Sequence, residues 1–203
     1  MPVMPASALT VDSLMTLAAY ARCRPTLRPL EIAHRQLRSV PLGAHLRLQF
    51  EDERTVRYQL HEVLRVEQIA EPARVQREID AYVPLLPDGR SWKATLLLEW
   101  TDAALRRREL PRSAGVAECV FVQVAGHDRV YAVADEDLDA TRPRPVMAVH
   151  FLRFRLTPPM CAAVQDGAAV RLGCDHPVCT AEVAIAPATR ASLAGDLAAQ
   201  VAM

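Results

Sequence analysis

The sequence predicts an α+β fold, with helices concentrated in roughly the first 90 residues and strands after them. Three observations carry this expectation. Apolar residues recur at three- and four-residue intervals across most of the first part. Later segments alternate apolar and polar positions with a period of two. The two patterns are segregated along the chain and not interleaved, which argues against a doubly wound α/β sheet. The expected product is a mostly antiparallel sheet in the C-terminal half, packed against N-terminal helices.

Residues 14–22 have helical spacing, with Asp12 or Ser13 placed to cap them. Residues 27–40 read as a second helix, because Leu30, Ala33 and Leu37 recur on one face. After the turn PLG, the alternation of Leu46, Leu48 and Phe50 predicts a strand. From 53 to about 69 the period returns to helical, with Val56, Leu60 and Val63 forming a stripe that Leu64 widens. Pro72 suits the first turn of the next helix, which presents Val75, Ile79 and Tyr82 and stops near Pro84.

LPDG turns the chain into the strand ATLLLEW, followed by the short helix DAALRRREL. AECVFVQV and RVYAVA flank a turn at Gly126 and form a hairpin. VMAVHFLRFRL is a long antiparallel strand, with His150, Leu152 and Phe154 on one face and Val149, Phe151, Arg153 and Arg155 on the other. TPPMCAAVQDG is a helix capped by Thr157 and closed at Gly167. AAVRLGC and AEVAI are strands, and PATRASLAGDLAAQ is the last helix. No repeat or linker divides the chain, so residues 1–203 are expected to form one domain, with ATRPRP as a loop.

Half of the 203 residues are apolar, enough for a sizeable core. Twenty-four basic and 24 acidic residues balance, which argues against general binding to nucleic acid or an anionic membrane. Lys93 is the only lysine. The start of the chain lacks a signal-peptide pattern, and no apolar stretch is long enough to span a bilayer. Five cysteines at wide spacing, in a chain that needs no staples, read as reduced thiols, and the expected location is cytoplasmic.

The common fingerprints are missing. There is no GxGxxG behind a strand, no P-loop, no GxSxG and no CxxC. His61 and Glu62 begin like a helical zinc-protease motif, but Arg65 stands where the second histidine belongs. The spacing of Glu31 and His34 puts both on one helix face, a pairing that di-iron bundles use twice and this chain once. CDHPVC offers zinc-ligand types at Cys174, Asp175, His176 and Cys179, with the wrong internal spacing. Asp135, Glu136, Asp137 and Asp139 form an acidic run that reads as a solvated loop or helix start, with divalent cation binding as the lesser alternative.

The sharpest anomaly is Glu67, which helical spacing places inside the Val56, Leu60, Val63 stripe. A buried carboxylate needs an arginine, backbone donors, a metal or a proton. We therefore expect His61, Glu62, Glu67 and Glu78 to contribute to one polar pocket, with His150 or His176 reaching it from the sheet. Such a set suits iron, manganese or zinc if it holds a divalent metal. If it holds none, the carboxylates should be bonded to arginines such as Arg57, Arg65 or Arg74.

The stretches LMTLAAYARCRP, IAHRQLRSVPLGAHLRLQFEDERTVRYQLHEVLRVEQI, DAYVPLLPDG, ADEDLDATRP, AVHFLRFRLTPPM and GCDHP together resemble a bacterial family known as domain of unknown function 3501. The resemblance covers nearly the whole chain. It implies a small cytoplasmic protein with no assigned activity, associated with redox or metal metabolism and with a redox or iron–sulfur partner protein. Two function classes follow. The first is a non-catalytic accessory or binding protein whose acids pair with arginines. The alternative is a metal-dependent enzyme using the His/Glu cluster. HLRLQF and AEVAI are expected sheet edges, and a homodimer would cover one of them.

Overall fold

A computed structural model describes residues 9–134 and 148–197. After a short 3₁₀ turn at Val11–Ser13 comes α1 (Leu17–Leu37), then the hairpin β1 (Ser39–Leu42) and β2 (Leu46–Glu51). Helices α2 (Glu53–Val66) and α3 (Pro72–Tyr82) follow, then β3 (Ser91–Leu98) and α4 (Ala103–Glu109). The remainder comprises β4 (Val120–Val124), β5 (Arg129–Tyr131), β6 (Val133–Ala134), β7 (Val149–Arg155), α5 (Pro158–Gln165), β8 (Val170–Cys174), β9 (Ala181–Ala184) and α6 (Pro187–Ala194). The fold is α+β, as the segregated periodicities predict.

The strands form two antiparallel sheets, one ordered β1-β2-β3-β7-β6 and the other β5-β4-β8-β9. Their facing residues make one core. Leu48, Phe50, Trp92, Leu96, Leu152 and Phe154 come from the first sheet, and Val120, Val122, Val170 and Leu172 from the second. Met160 and Val164 of α5 and Leu193 of α6 complete it. On β7 the predicted alternation holds: Leu152 and Phe154 are buried, while Val149 and Phe151 are exposed. The predicted RVYAVA strand divides at Ala132, so that β5 stays with β4 and β6 crosses to β7.

Three expectations are corrected. The two N-terminal helices are one 21-residue helix, capped by Thr16, whose side chain accepts from the Ala19 N–H at 3.2 Å. Pro25 and Pro29 lie inside it, each removing the donor for a carbonyl four residues earlier. The helix persists because α2 grips it along its length. Tyr20 and Arg24 bond Glu62, Arg35 bonds Gln59, and Arg54 bonds Glu31. Second, residues 39–42 are strand, not helix. Proline at position 41 is tolerated because β1 is an edge strand, paired only to β2. Third, HLRLQF is no sheet edge, since β2 lies between β1 and β3, whereas AEVAI is one, as β9. The acidic run and ATRPRP lie outside the described residues.

A second apolar cluster joins α2 and α3 to the N-terminal segment through Leu9, Val56, Leu60, Leu64, Ile69, Val75 and Ile79. The end of α2 is set by backbone geometry. Gln68 adopts φ 53°, and the Ile69 N–H bonds the Leu64 carbonyl at 2.9 Å, a left-handed helix stop that folds Ile69 back onto Leu64. Among the described residues no helix is long and apolar enough to cross a membrane.

Candidate functional site

The predicted pocket residues fall in several places. His61 is buried on α2 and stacks on Tyr20, ring centroids 4.7 Å apart. Its Nδ1–H donates to the Arg57 carbonyl at 2.8 Å, and its Nε2 accepts the Met15 N–H at 3.0 Å. Both nitrogens are thus spent on backbone groups, and the Nε2 bond ties the segment before α1 to α2. Burial, the largest influence, holds the imidazole below its ordinary value, so the neutral ring that this bonding needs is the favoured one.

Glu62, next in sequence, faces α1. Tyr20 Oη donates to its Oε1 at 2.6 Å, Arg24 binds it with two nitrogens at 2.6 and 3.0 Å, and Arg65 adds a bond at 3.1 Å. The Arg24 hydrogen bond is the main reason the carboxyl is held down near 2. Burial and the Glu62 carboxylate together push the Tyr20 phenol well above its usual range. Such a carboxylate has its oxygens occupied and its charge balanced.

Glu67 corrects the expectation that motivated the pocket. It is the C-cap residue of α2, beyond the last helical position, and it is exposed. Its N–H still bonds the Val63 carbonyl at 2.9 Å, so the helical phase holds as far as Glu67, but the helix stops there and not at residue 69, leaving the carboxylate at an exposed end. Glu67 and Glu62 both line a shallow depression of about 260 Å³ with Arg35, Tyr58 and Gln59. Glu78, half-buried on α3, lies outside that lining, and its charge and that of Glu67 both raise the Tyr82 phenol after the larger effect of burial. Arg65 does pair as predicted, whereas Arg57 pairs with Glu53.

The sheet histidines lie elsewhere. His150 is on β7 opposite Leu96 of β3, on the same face as Leu152 and Phe154. His176 follows β8. Its Nε2–H donates to the Ala114 carbonyl at 3.1 Å, and its Nδ1 accepts the Val178 N–H at 3.3 Å. Glu31 and His34 are also separated in role, for Glu31 pairs with Arg54 and His34 with Asp52. Among the described residues no three His, Cys, Asp or Glu side chains are grouped to hold a metal ion.

His176 instead helps to line a cavity of about 300 Å³ that the sequence reading missed. It opens at one end of the paired sheets, where the β1–β2 turn, the end of β3, α4 and the loop between β8 and β9 meet. Leu46, Leu98, Leu105, Val116 and Val178 give it apolar walls. Trp100 stacks on His45 with centroids 5.7 Å apart, and His45 Nδ1–H donates to the Glu99 carbonyl at 3.1 Å. Arg108, Glu109 and Cys179 supply the polar part of the lining. His45 and Glu99 meet because they stand one step beyond the Leu46–Leu98 pair of the β2–β3 ladder. That register cannot be read before the strands are known to be partners. An apolar cavity with a few polar groups at the mouth of a sheet assembly is the usual form of a small-molecule site.

The thiols near this cavity are poor nucleophiles. Burial pushes Cys174 up to about 11 and also raises Cys119 and Cys179. A thiol that stays protonated near neutrality packs and does not react.

A model of the family described as Protein of unknown function (DUF3501) matches residues 8–197. The chain belongs to that family. It is also similar to a crystal structure of a novel protein of unknown function from Burkholderia pseudomallei K96243. The two share 48% identity over 94% of this chain and 99% of the other, with a TM-score of 0.90. No curated protein matches. Both the cavity and the Glu62 cluster of this DUF3501 protein lie inside the matched span.

Proposed function

We propose that this DUF3501 protein is a non-catalytic accessory protein that binds a small ligand in the cavity between His45, Trp100 and His176. The observation that supports the non-catalytic reading is the neutralisation of its acids. Glu62 is held by Arg24 and Arg65, Glu31 by Arg54, Asp196 by Arg38, and Glu109 by Arg108 and Arg112. A carboxylate with its oxygens committed to arginine is poorly placed to act as a base or ligand. The cavity supports the binding reading by its apolar walls and convergent polar groups.

The protein and a partner protein are proposed to belong to redox or metal metabolism, and this part rests on the family resemblance. A cytoplasmic location fits the five free cysteines, which call for a reducing compartment. The metal-dependent alternative draws less support, because His61 and His176 each spend both ring nitrogens on backbone groups.

The two tryptophans give the test. Trp92 is in the core and donates to the Leu193 carbonyl, whereas Trp100 lines the cavity. Titration with a mixture of small aromatic fragments should shift the indole N–H resonance of Trp100 and leave that of Trp92 in place. If no fragment moves Trp100 at millimolar concentration, the cavity is not a ligand site.

A further inference from the structure

We infer that the cavity selects a small apolar carboxylate, such as an arylacetate or a branched short-chain acid. This rests on the cavity being a ligand site, and goes further by assigning the charge of its ligand. The walls set the apolar part. Leu46, Leu98, Leu105 and Val178 face a space at the small end of the range for ligand pockets, so the tail has room for one ring or a short branched chain. The indole of Trp100 supplies a flat surface that suits a ring.

The charge comes from α4 and the 3₁₀ turn at Leu110–Ser113 that continues it. Glu109 lines the cavity, and both of its oxygens are committed. Arg108 Nε donates to one at 2.7 Å, and Arg112 Nη1 donates to the other at 3.0 Å. These arginines hold the Glu109 carboxyl below its usual range, with the Arg108 hydrogen bond the largest influence. Two guanidinium groups thus share one carboxylate, and of the two Arg108 lines the cavity beside Glu109. Among the described residues the two Nη groups of Arg108 make no hydrogen bond, so its bond to Glu109 through Nε leaves four N–H donors that no described residue uses. A planar guanidinium with free donors at the rim of an apolar space matches a ligand with an apolar body and one carboxylate.

An amine ligand would have to displace an arginine from Glu109 first. A neutral ligand would leave the Arg108 donors to water. Charge complementarity therefore favours the acid. Arg108 is well exposed, so its loss should not disturb folding.

The test compares phenylacetate with phenylacetamide, which has nearly the same shape and no charge, by following the Trp100 indole resonance. The expected result is tighter binding of the carboxylate by about tenfold, reduced to near parity in Arg108→Gln, with the Trp92 resonance unmoved throughout. Equal affinity for the two compounds would overturn the inference about charge and leave the ligand site standing. An unmoved Trp100 resonance with both compounds, and with the fragment mixture, would overturn the site as well.

Discussion

Asp196 accepts a hydrogen bond from Arg38, a residue 158 positions earlier whose side chain is 1% exposed. The same guanidinium reaches the Phe50 carbonyl at 3.2 Å, the Glu51 carbonyl at 3.1 Å and Ser192 Oγ at 3.0 Å. One side chain thus joins the end of α1, the end of β2 and the turn after α6. Asp52 lies 3.4 Å from the Arg38 Nε and also holds His34 at 2.7 Å. Burial lifts the Asp196 carboxyl to about 6 against the pull of Arg38.

Asp196→Ala should therefore destabilise the protein by about 3 kcal/mol, because it leaves the buried guanidinium with only its longer pair to Asp52. Urea unfolding measures this. A change within the error of the extrapolation would mean that the carboxylate contributes little there.

His61 gives a pH dependence of defined sign. Its folded-state imidazole is held below the ordinary 6.5, so the unfolded chain takes up a proton first as pH falls. Its contribution should be complete above about 6.5 and decline below that value. Protonation also costs the bond from the Met15 N–H, so hydrogen exchange at Met15 should quicken in the same range. His61→Phe should lack both effects while keeping the stack on Tyr20.

Glu62 acts lower on the pH scale. Its carboxyl falls from 4.5 in the free group to about 2, so its contribution is present above 4.5 and lost as pH drops towards 2. Denaturant midpoints across that interval should fall less steeply in Glu62→Gln than in the parent chain. An unchanged slope would separate Glu62 from the acid sensitivity.

How much of this was legible in the sequence depends on how local each cause is. The Thr157 cap, the Pro72 start, the β7 alternation and the hairpin at Gly126 are fixed by neighbouring residues, and all appear as read. The unbroken α1 is not local. Pro25 and Pro29 argue for a break, while the partners that hold the helix, on α2 and its cap, lie 18 or more residues away. The misreading of Glu67 has a local origin, the left-handed Gln68, which ends α2 just after Glu67 and leaves that carboxylate at an exposed helix end. The Trp100 cavity needs four separate chain segments to converge, which no spacing rule reports.

Gly173 illustrates a constraint that is invisible in a strand pattern. A Cβ there would run into the Phe121 ring, 2.6 Å from Cε1, while the Arg129 guanidinium lies 3.9 Å from the ring centroid. Gly173→Ala should cost about 2 kcal/mol through displacement of that ring. Thermal unfolding checks it, and a neutral result would show that the ring moves freely.

Metal content of the untagged protein tests the central proposal, that Glu62 is committed to arginine and not to a metal ion, and that the chain works by binding. Elemental analysis of protein purified without a histidine tag should find no iron, manganese or zinc at stoichiometric level, and added metal should not raise the denaturant midpoint. One retained metal ion per chain, lost in Glu62→Ala with the fold intact, would contradict the account.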